Sequence, residues 1–369
     1  MNYSCWVEIN LDNIRHNINK FKNLLENRSK LLVVVKADGY GHGAIETSRV
    51  AISCGVDCLG VANCQEAITL RKAKINIPIL VLGIIFPQDI SKIIKYNLTP
   101  AVFNLKIVQE LSRLGKKYSQ NVKVHVKIDS GMGRMGILPD QAVDFLKNLQ
   151  KLPYIELEGI YTHLATADEE DDTYAWEQFK KFENLLKKLE KENIHIPLKH
   201  ISNSAAFVKF PMMYLNMARI GIMTYGLYPS LYCSQKIDLK PAMCFKTKIL
   251  QIKTLPKGSG ISYGKTYITS KDTKLAILPV GYNNGYNRLL SNKGHVIIRN
   301  KKVPLVGRVC MDLCMVDINK LENVKEEEEV ILFGDNSISV DEIAKICASI
   351  NYEIVCQVGK SVPRIYIKN

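Results

Sequence analysis

A single lysine, Lys36, ends one of the apolar runs of this chain. The stretch LLVVVK (31–36) has the pattern of a buried strand, and the glycine-rich segment ADGYGHGA follows it. A lysine that reaches water from a strand end is the ordinary interpretation of such a pattern. At the mouth of an apolar barrel, however, burial lowers the pKa of the amine, and a neutral amine can form a Schiff base with an aldehyde. Pyridoxal 5′-phosphate is the commonest cofactor that requires such a lysine.

That cofactor also needs a phosphate site and a partner for its pyridine nitrogen, and the sequence offers both. In the segment NSAA, Ser204 offers a hydroxyl at a predicted helix start. In the segment RIGI, Gly221 and Ile222 offer backbone N–H groups, and Arg219 precedes them within reach of a pyridine nitrogen. These segments follow the last two of eight predicted strands, which is where (β/α)8 barrels commonly bind phosphate.

Short apolar runs alternate with segments of helical periodicity through the first part of the chain. This alternation is typical of parallel strands covered by helices, and thus of an α/β fold. Eight such units are the number in a closed (β/α)8 barrel, although an open doubly wound sheet shows the same alternation. The predicted strands are 31–36, 57–63, 78–83, 99–104, 123–129, 157–163, 198–204 and 217–226.

Polar side chains recur at the predicted carboxyl ends of these strands. A single polar strand end carries no information, but barrels of this architecture build their active sites at that end. Seven strand ends with polar groups, three of them cationic, therefore predict a site there. The residues are Lys36, Asn63, Asn104, Lys127, Asp129, His163, Asn203, Ser204, Arg219 and Gly221.

The pattern changes from about residue 233, where strands and turns replace helical periodicity. The segments GSG, NNG and NKG supply turn-forming residues between these strands. We therefore predict a cofactor-binding (β/α)8 barrel at 1–232 and a second, mostly antiparallel β domain at 233–369. Within the second domain we predict one helix, at 340–350, and strands at 244–255, 273–281, 294–300, 303–318, 328–334 and 363–369.

The overall composition excludes several function classes. The 50 basic and 36 acidic residues give a formal charge of +14, but the lysines are spread along the chain without a basic stripe interleaved with aromatics, which favours a lysine-rich surface over nucleic-acid binding. The ten cysteines include no CxxC pair, so we expect neither a zinc site nor any other metal. With no signal peptide and no long apolar run, we expect no membrane association and a reducing, cytoplasmic environment. The segment GYGHG does not match the GxGxxG pattern of dinucleotide-binding loops.

Motifs along nearly the whole chain resemble those of bacterial alanine racemases, and they occur in the order found in that family. The resemblance implies a fold-type III pyridoxal-phosphate enzyme with an amino-terminal barrel, a carboxy-terminal β domain that completes the partner subunit's active site, and a head-to-tail homodimer. The motifs are KADGYGHGA, VHVKIDSGMGRMGI, YTHLATADE, HISNSAAF, ARIGIMTYGLYPS, GISYGKTY, LPVGYNNGYNR, VGRVCMDLCMVDI and INYEIVCQVGKSVPRIY.

The resemblance implies roles for single residues, first of all for two catalytic positions. Lys36 is similar to the lysine that binds the cofactor covalently, and Tyr263 resembles the opposing base, which the family supplies from the other subunit. Arg219 matches the partner of the pyridine nitrogen, and His163 matches a histidine that links this arginine to the tyrosine. Arg134 matches a contact to the phenolic oxygen of the cofactor, and we also place it among the substrate-binding residues.

Further matches concern the phosphate, the substrate and its passage into the site. Lys127 corresponds to a lysine that is often carbamylated in the family, where the carbamate orients the arginine at position 134. Met311 resembles the residue whose backbone N–H meets the substrate carboxylate. The other cofactor-binding residues are Tyr40, Asn203, Ser204, Gly221, Ile222 and Tyr352. The narrow substrate passage is matched by Asp168, Tyr282, Arg288, Arg308 and Ile350.

Two segments depart from the family pattern. Ile220 stands where the family often has proline between the arginine and the glycine of the phosphate loop, so that loop loses a rigid residue. Lys360 and Ser361 stand where the family often has arginine before VPR. Neither segment has a catalytic role, so the departures concern loop stiffness rather than activity.

Racemisation removes a proton from one face of the α-carbon and returns one to the other face, which two bases on opposite sides achieve most simply. Lys36 and Tyr263 are the predicted pair. Because a free tyrosine has a pKa of about 10, cationic neighbours must favour its phenolate, a task we assign to His163 with Arg219. Arginine stays protonated and only donates a hydrogen bond to the pyridine nitrogen, so it should discourage transamination. The predicted product, D-alanine, would supply peptidoglycan.

Other functions fit parts of the same pattern. A racemase for serine, or for a broader range of amino acids, would differ only in small side chains near the passage. A barrel-type pyridoxal-phosphate decarboxylase is disfavoured by the tyrosine base and by the segment LPVGYNNGY. A cofactor-carrying protein without turnover generally lacks the β domain that this sequence predicts.

Overall fold

The barrel strands are built from the apolar runs, and they are as buried as their composition requires. In the computed structural model, which describes residues 3–26, 28–234, 237–335 and 337–368, Leu31, Leu32 and Val33 are at most 1% exposed. In chain order the strands up to residue 240 are β1 (Cys5–Asn10), β2 (Lys30–Val34), β3 (Cys58–Asn63), β4 (Ile79–Ile84), β5 (Thr99–Val102), β6 (Val122–Lys127), β7 (Ile155–Tyr161), β8 (Leu198–His200) and β9 (Met217–Ile220).

Helices follow the barrel strands and cover the sheet. Several begin at a side-chain cap: Asn63, Asn104 and Asn203 accept hydrogen bonds from the first turns of the helices that they precede. The helices in this part of the chain are Leu11–Leu25, Ala44–Ser53, Cys64–Lys72, Ile90–Lys95, Leu105–Tyr118, Ala142–Gln150, Thr173–Lys191, Ser204–Lys209 and Leu231–Ser234.

Strands β2 to β9 form one parallel sheet that nearly closes into a barrel. The order of hydrogen-bonded neighbours is β8-β7-β6-β5-β4-β3-β2-β9. The two end strands are linked just before β9, where the backbone N–H of Asn216 donates to Lys199 O at 3.0 Å. The predicted (β/α)8 barrel is therefore confirmed, and the carboxyl ends of its strands meet at one face.

Lys36 lies beyond its strand rather than at its last position, which corrects the prediction of a strand at 31–36. Strand β2 ends at Val34, and the segment Lys36–Tyr40 turns sharply with positive φ at Ala37, Asp38 and Gly39. Glu66 holds this turn, since its carboxylate accepts hydrogen bonds from the N–H groups of Ala37 and Ala62 at 3.0 and 2.8 Å. Similar shifts place Asn104, Asp129, His163, Asn203 and Ser204 just beyond their strands and Arg219 and Asn63 within theirs.

The rest of the chain forms the predicted, mostly antiparallel β domain. Its strands are β10 (Met243–Lys248), β11 (Gln251–Leu255), β12 (Gly260–Ile261), β13 (Tyr267–Ile268), β14 (Thr273–Leu278), β15 (His295–Ile298), β16 (Lys301–Pro304), β17 (Cys314–Asp317), β18 (Glu329–Phe333) and β19 (Arg364–Ile367). They form sheets of order β16-β15-β18-β10-β1-β19 and β11-β14-β17, and a β12-β13 hairpin.

Three details of that domain differ from the prediction. The single helix at 340–350 is two helices, Val340–Ile346 and Asn351–Gln357, because Ala348 adopts φ of 50° and ends the first. The strand predicted at 244–255 is two strands, β10 and β11, and the one predicted at 303–318 is β16 and β17.

The described residues form two compact units. The barrel unit comprises Arg15–Gly39 and Ala44–Lys240, and the β unit comprises the described residues up to Ile14, Tyr40–Gly43 and those from Pro241 onward. Strand β1, which the sequence analysis did not identify, lies in the β unit because it pairs with β10 and β19. Within the described part of the chain, no helix is both long enough and apolar enough to cross a membrane.

Candidate active site

Arg219 is buried at the carboxyl end of the barrel, with 4% of its surface exposed. Its Nη2 donates to the carbonyl oxygens of Thr162 and Ile201 at 2.9 and 3.0 Å and to His163 Nδ1 at 3.3 Å, and its Nη1 donates to His200 Nδ1 at 2.9 Å. Among the described residues, its Nε–H has no hydrogen-bond acceptor. The guanidinium is thus fixed by the chain and keeps its Nε–H for a ligand.

His163 is neutral in this environment. Burial, followed by the charges of Arg219 and Arg134, holds its pKa well below the ordinary value for histidine. Because the guanidinium of Arg219 can only donate, His163 Nδ1 must accept, and the ring proton lies on Nε2. His163 therefore presents a hydrogen-bond donor on its other side.

The ring of Tyr161 makes cation–π contacts with two of the cationic side chains. Arg219 Cζ lies 5.2 Å and Lys127 Nζ 5.4 Å from the ring centroid of Tyr161. The hydroxyl of Tyr161 donates to Leu82 O at 2.9 Å. Burial raises the pKa of Tyr161 and lowers that of Arg219 to about 10, so the phenol stays neutral and the guanidinium stays charged at neutral pH.

Lys127, the last residue of β6, is 5% exposed. Its ammonium donates a long hydrogen bond of 3.4 Å to Leu82 O. Burial and then the charges of Arg134 and Arg219 lower the pKa of Lys127 to about 8, so the neutral amine is accessible as a minor form near physiological pH. A neutral lysine amine can react as a nucleophile.

Lys36 belongs to the same electrostatic cluster. It is half-buried at the start of its turn, and its charge contributes to the lowered pKa values of both His163 and Lys127. The strand register places Lys36 near Arg219. Strands β2 and β9 are neighbours that pair Leu32 with Arg219, and both strands end a few residues later.

The predicted phosphate loops adjoin each other in the barrel unit. Ser204 begins the helix Ser204–Lys209, and its hydroxyl oxygen accepts from the N–H of Gly221 at 2.9 Å. Asn203 caps that helix by accepting from Ala206 N at 2.9 Å. Ile222 begins a short 3₁₀ turn directly after Gly221 and is fully buried.

Arg134 lies in an ordered loop after β6. The carboxylate of Asp129 accepts hydrogen bonds from the N–H groups of Gly131, Gly133 and Arg134 at 3.0–3.1 Å. Burial would raise the pKa of Asp129, but these backbone hydrogen bonds outweigh it and leave the pKa lowered. The side chain of Arg134 is exposed. Asp168 lies in the loop after β7 and is half-buried.

In the β unit, four predicted residues lie next to one another through backbone contacts. Ser262 Oγ donates to Arg308 O at 2.7 Å, which joins the turn of Tyr263 to Arg308. Tyr282 N donates to Cys310 O at 3.1 Å, beside Met311. Tyr263 is 70% exposed and Met311 54% exposed, so these side chains point away from their own unit. Arg288 is tied to this group because Ser291 Oγ donates to Arg288 O at 2.5 Å and accepts from Val309 N at 3.0 Å.

Tyr40 and Tyr352 form a separate pair in the β unit. Their ring centroids lie 6.1 Å apart, and Ile350, which is 62% exposed, precedes the helix that carries Tyr352. Gly41 (φ 80°) permits this arrangement, because a side chain there would collide with the carbonyl oxygen of Val355.

Family models describe both parts of the chain. The model of the alanine racemase N-terminal domain matches residues 9–229, and that of the alanine racemase C-terminal domain matches residues 242–366. This chain belongs to the alanine racemase family.

Individual relatives match this chain over nearly the whole of both sequences. The alanine racemase of Halothermothrix orenii is 45% identical over 364 residues, which cover 98% of this chain and 96% of that protein. A solved structure of alanine racemase from Clostridium difficile has a TM-score of 0.97 and 42% identity, and the match covers 100% of this chain and 97% of the other. A structure of the same racemase in complex with cycloserine has a TM-score of 0.94 and 40% identity and covers 100% and 97%. Together with the two family models, these matches identify the chain as a racemase.

Several residues around Arg219 of this alanine racemase family member were not predicted to belong to the site. They are His125, Glu158, Tyr161, Thr162 and His200, all on or next to β6, β7 and β8. The alternation of side chains along a strand could have indicated two of them. His125 shares a strand face with Lys127, and Tyr161 is two residues before His163.

Proposed function

We propose that this racemase interconverts L- and D-alanine by a two-base mechanism that depends on pyridoxal 5′-phosphate, with Lys36 on one face of the substrate and Tyr263 of a partner subunit on the other. The observation that carries the proposal is the buried Arg219, which is fixed by four hydrogen bonds and keeps Nε–H available beside a neutral histidine. When bound, the cofactor withdraws electrons from the α-carbon of the substrate and so acidifies its C–H bond.

The donor groups of the barrel unit fit that cofactor. Lys36 would hold its aldehyde carbon, and Arg219 Nε–H would donate to its pyridine nitrogen. The O–H of Ser204 and the N–H of Ile222, with the helix start at Asn203, have the chemistry of a phosphate site. The N–H of Gly221 donates to Ser204 Oγ in this chain and would exchange that acceptor for the phosphate. By resemblance to the family, we assign Tyr40 and Tyr352 to the same phosphate.

The choice of arginine as the pyridine partner has a chemical consequence. Burial lowers the pKa of Arg219 only to about 10, so it remains protonated and donates a hydrogen bond without giving up its proton. Charge that develops on the substrate α-carbon is then poorly delocalised into the ring. We infer that this keeps the reaction on the racemisation path.

Proton transfer on the two faces is assigned to two different groups. Lys36 Nζ would remove or return the proton on its face, and the phenolic oxygen of Tyr263 would do so on the other. His163 carries its proton on Nε2, and this donor would stabilise the phenolate of Tyr263 while Arg219 holds the imidazole in place. The pair therefore reaches both faces without movement of either base.

Lys127 and Arg134 have a supporting role in the proposal. The lowered pKa of Lys127 favours the neutral amine, which can add CO2 to give a carbamate with release of one proton. The carbamate would offset the excess of positive charge from Lys36, Arg134 and Arg219, and would orient Arg134 toward the phenolic oxygen of the cofactor. The backbone N–H of Met311 is assigned to the substrate carboxylate.

A homodimer is part of the proposal. Tyr263, Tyr282, Met311 and Ile350 are all more than 40% exposed in this chain, and exposed apolar side chains of this kind commonly mark an interaction surface. We assign Asp168, Tyr282, Arg288, Arg308 and Ile350 to the substrate passage. We further propose a cytoplasmic enzyme that supplies D-alanine for peptidoglycan, in keeping with the ten cysteines that form no disulfide in the described chain.

The experiment is an assay of the purified protein loaded with pyridoxal 5′-phosphate. L-Alanine and L-serine are supplied in separate reactions, and the enantiomers are followed by chiral chromatography. We expect alanine to approach equal amounts of the two enantiomers much faster than serine, and borohydride to fix the cofactor covalently to the protein. Turnover without the cofactor, or no alanine turnover with it, would contradict the proposal.

A further inference from the structure

Below Arg219, a row of polar side chains continues through the interior of the barrel toward its amino-terminal end. His200 Nδ1 contacts Arg219 Nη1 at 2.9 Å, and His200 Nε2 contacts His125 Nδ1 at 2.8 Å. His125 Nε2 contacts Glu158 Oε2 at 3.2 Å, and Glu158 Oε1 accepts from Lys123 Nζ at 2.8 Å. His200 and His125 are 0% and 2% exposed, whereas the Glu158 side chain is 20% exposed. Apart from the contact of His200 with Arg219, none of these contacts has a role in the function proposed above.

The donor at one end and the acceptor at the other permit only one arrangement of protons in this row. The guanidinium of Arg219 only donates, so His200 Nδ1 accepts and its proton lies on Nε2. That proton is donated to His125 Nδ1, so the proton of His125 lies on Nε2 and is donated to the carboxylate of Glu158. Both histidines are therefore neutral Nε2–H tautomers, and Glu158 is ionised.

The protonation equilibria agree with this arrangement. Burial lowers the pKa of His125, and burial together with the charge of Arg219 holds that of His200 well below its ordinary value. The hydrogen bond from His125, followed by that from Lys123, lowers the pKa of Glu158 to about 2. The other charged groups near this end are Glu156, 3.6 Å from Lys123, and Lys30 and Asp57, which line a cavity of about 40 Å³ beside His125 and Glu158.

Two backbone features place Glu158 in the row. The register between β6 and β7 pairs Val124 with Leu157 and then His125 with Gly159, so Glu158 is the extra residue of a β-bulge. Bulges redirect side chains in this way and are common beside active sites. A Cβ atom on Gly159 would lie 2.5 Å from His125 Nδ1, so only glycine leaves room for the imidazole.

The row orients groups and does not conduct protons. A proton relay that ends at Arg219 would require the guanidinium to release its proton, and its pKa of about 10 keeps it charged at neutral pH. The stacking of Tyr161 on His200, with centroids 4.7 Å apart and planes at 9°, restrains the plane of that ring but does not select its tautomer. Only the hydrogen-bond row selects the tautomer.

We propose that Glu158 is a positioning residue of the racemase: by accepting the Nε2–H of His125 it holds that ring, and through it His200 and the guanidinium of Arg219, in the observed orientation. The tautomers are already set from the Arg219 end. Without the carboxylate, however, the buried Nε2–H of His125 has no acceptor, and the ring loses the contact that orients it. The orientation of the row stands on these contacts alone, whereas its effect on catalysis rests on the proposed role of Arg219 toward the pyridine nitrogen.

The test compares Glu158→Leu, which removes the acceptor, with Glu158→Gln, which keeps an acceptor oxygen and removes the charge. Glu156→Leu is the matched control on the same strand, since Glu156 contacts Lys123 but not His125. Histidine tautomers are read from long-range ¹⁵N–¹H correlation spectra of the protein before cofactor is added. The absorbance of the loaded protein, kcat and KM for alanine are then measured on the same samples.

We expect both histidines to be Nε2–H tautomers in all four proteins, and the His125 Nε2–H signal to shift upfield in E158L, where it has lost its acceptor, but to change little in E158Q and E156L. We also expect kcat to fall about 10-fold in E158L with little change in KM and with a shifted cofactor absorbance, because partners of ligand-contacting residues typically have effects of this size. Glu158→Gln should restore most of the activity.

Two results would overturn the proposal. One is a His125 Nε2–H signal that is the same in E158L as in the wild-type protein, and the other is an equal fall of kcat in E158L and E158Q. If E158L does not fold, Gly159→Ala serves in its place, because it displaces the His125 ring while the carboxylate stays. Failure of the proposed function would show differently, as a wild-type protein with Nε2–H histidines that does not racemise alanine.

Discussion

Arg219 in the barrel unit and Tyr263 in the β unit are held in different ways. The guanidinium of Arg219 is 4% exposed, and four contacts within its own unit orient it. Tyr263 is 70% exposed, and the contacts near it fix the backbone of its turn, through Ser262 and Arg308, rather than its ring. The barrel unit thus orients its charged groups through contacts of its own, whereas the β unit fixes the backbone beside Tyr263 and leaves its ring exposed. The difference predicts that variants of the two regions will fail in different ways.

The largest effect is expected from Lys36→Ala, which removes both a base and the covalent anchor of the cofactor. We expect racemisation to fall by more than about 10⁴-fold and borohydride to fix no cofactor to the protein. Lys30→Ala, an exposed lysine at the other end of β2, is the control and should retain both properties. Covalent cofactor in Lys36→Ala would show that another lysine is the anchor.

Tyr263→Phe tests whether the β unit acts on a partner. We expect about a 10³-fold loss of activity, because one of the two bases is removed. Mixing Lys36→Ala and Tyr263→Phe subunits should then restore about a quarter of wild-type activity, since half of the dimers are hybrids with one intact site each.

Tyr282→Phe is the control for that experiment, as a tyrosine of the same surface with no proposed base function. It should lose less than about 10-fold and give no recovery on mixing with Lys36→Ala beyond its own activity. An absence of recovery from the Lys36→Ala and Tyr263→Phe mixture would place both bases on one subunit.

Arg219→Glu tests the role of the buried arginine as the partner of the pyridine nitrogen. An acidic partner can share a proton with the pyridine nitrogen, so the ring becomes a stronger electron sink. We expect racemisation to fall about 100-fold and the ratio of keto acid to D-alanine to rise, as measured by chromatography of one reaction mixture. An unchanged product ratio would refute the proposed reason for an arginine here.

The smallest effect concerns Lys127, whose pKa is lowered to about 8 by burial and then by Arg134 and Arg219. The neutral amine becomes the major form as the pH rises through about 8, so carbamate formation from ¹³C-labelled bicarbonate should increase over that range. The carbamate signal is read by ¹³C NMR and should be absent in Lys127→Ala, which we expect to lose about 10-fold in activity. A signal that persists in that variant would come from another amine.

The succession of apolar runs was enough to predict the architecture, because burial on both faces forces parallel strands to be continuously apolar. All eight barrel strands overlap their predicted positions, although the last ends at Ile220, six residues before its predicted end at 226, because the chain enters a 3₁₀ turn at Ile222–Tyr225. The errors fall where local backbone geometry decides, as at Lys36, where the chain leaves the strand at Val34, and at Ala348, where a positive φ divides a helix.

What the sequence determined by itself is the set of chemically active side chains, because residue type and order along the strands carry that information. Lys36, His163 and Arg219 were named from residue types, strand ends and motifs. Only the tertiary structure decided how they are held. The tautomer of His163 follows from a guanidinium 56 residues away, and the row from Arg219 to Glu158 joins four strands through side chains that no local pattern relates. Hydrogen bonds between distant residues depend on register and on a single bulge, and the sequence does not encode either in any one segment.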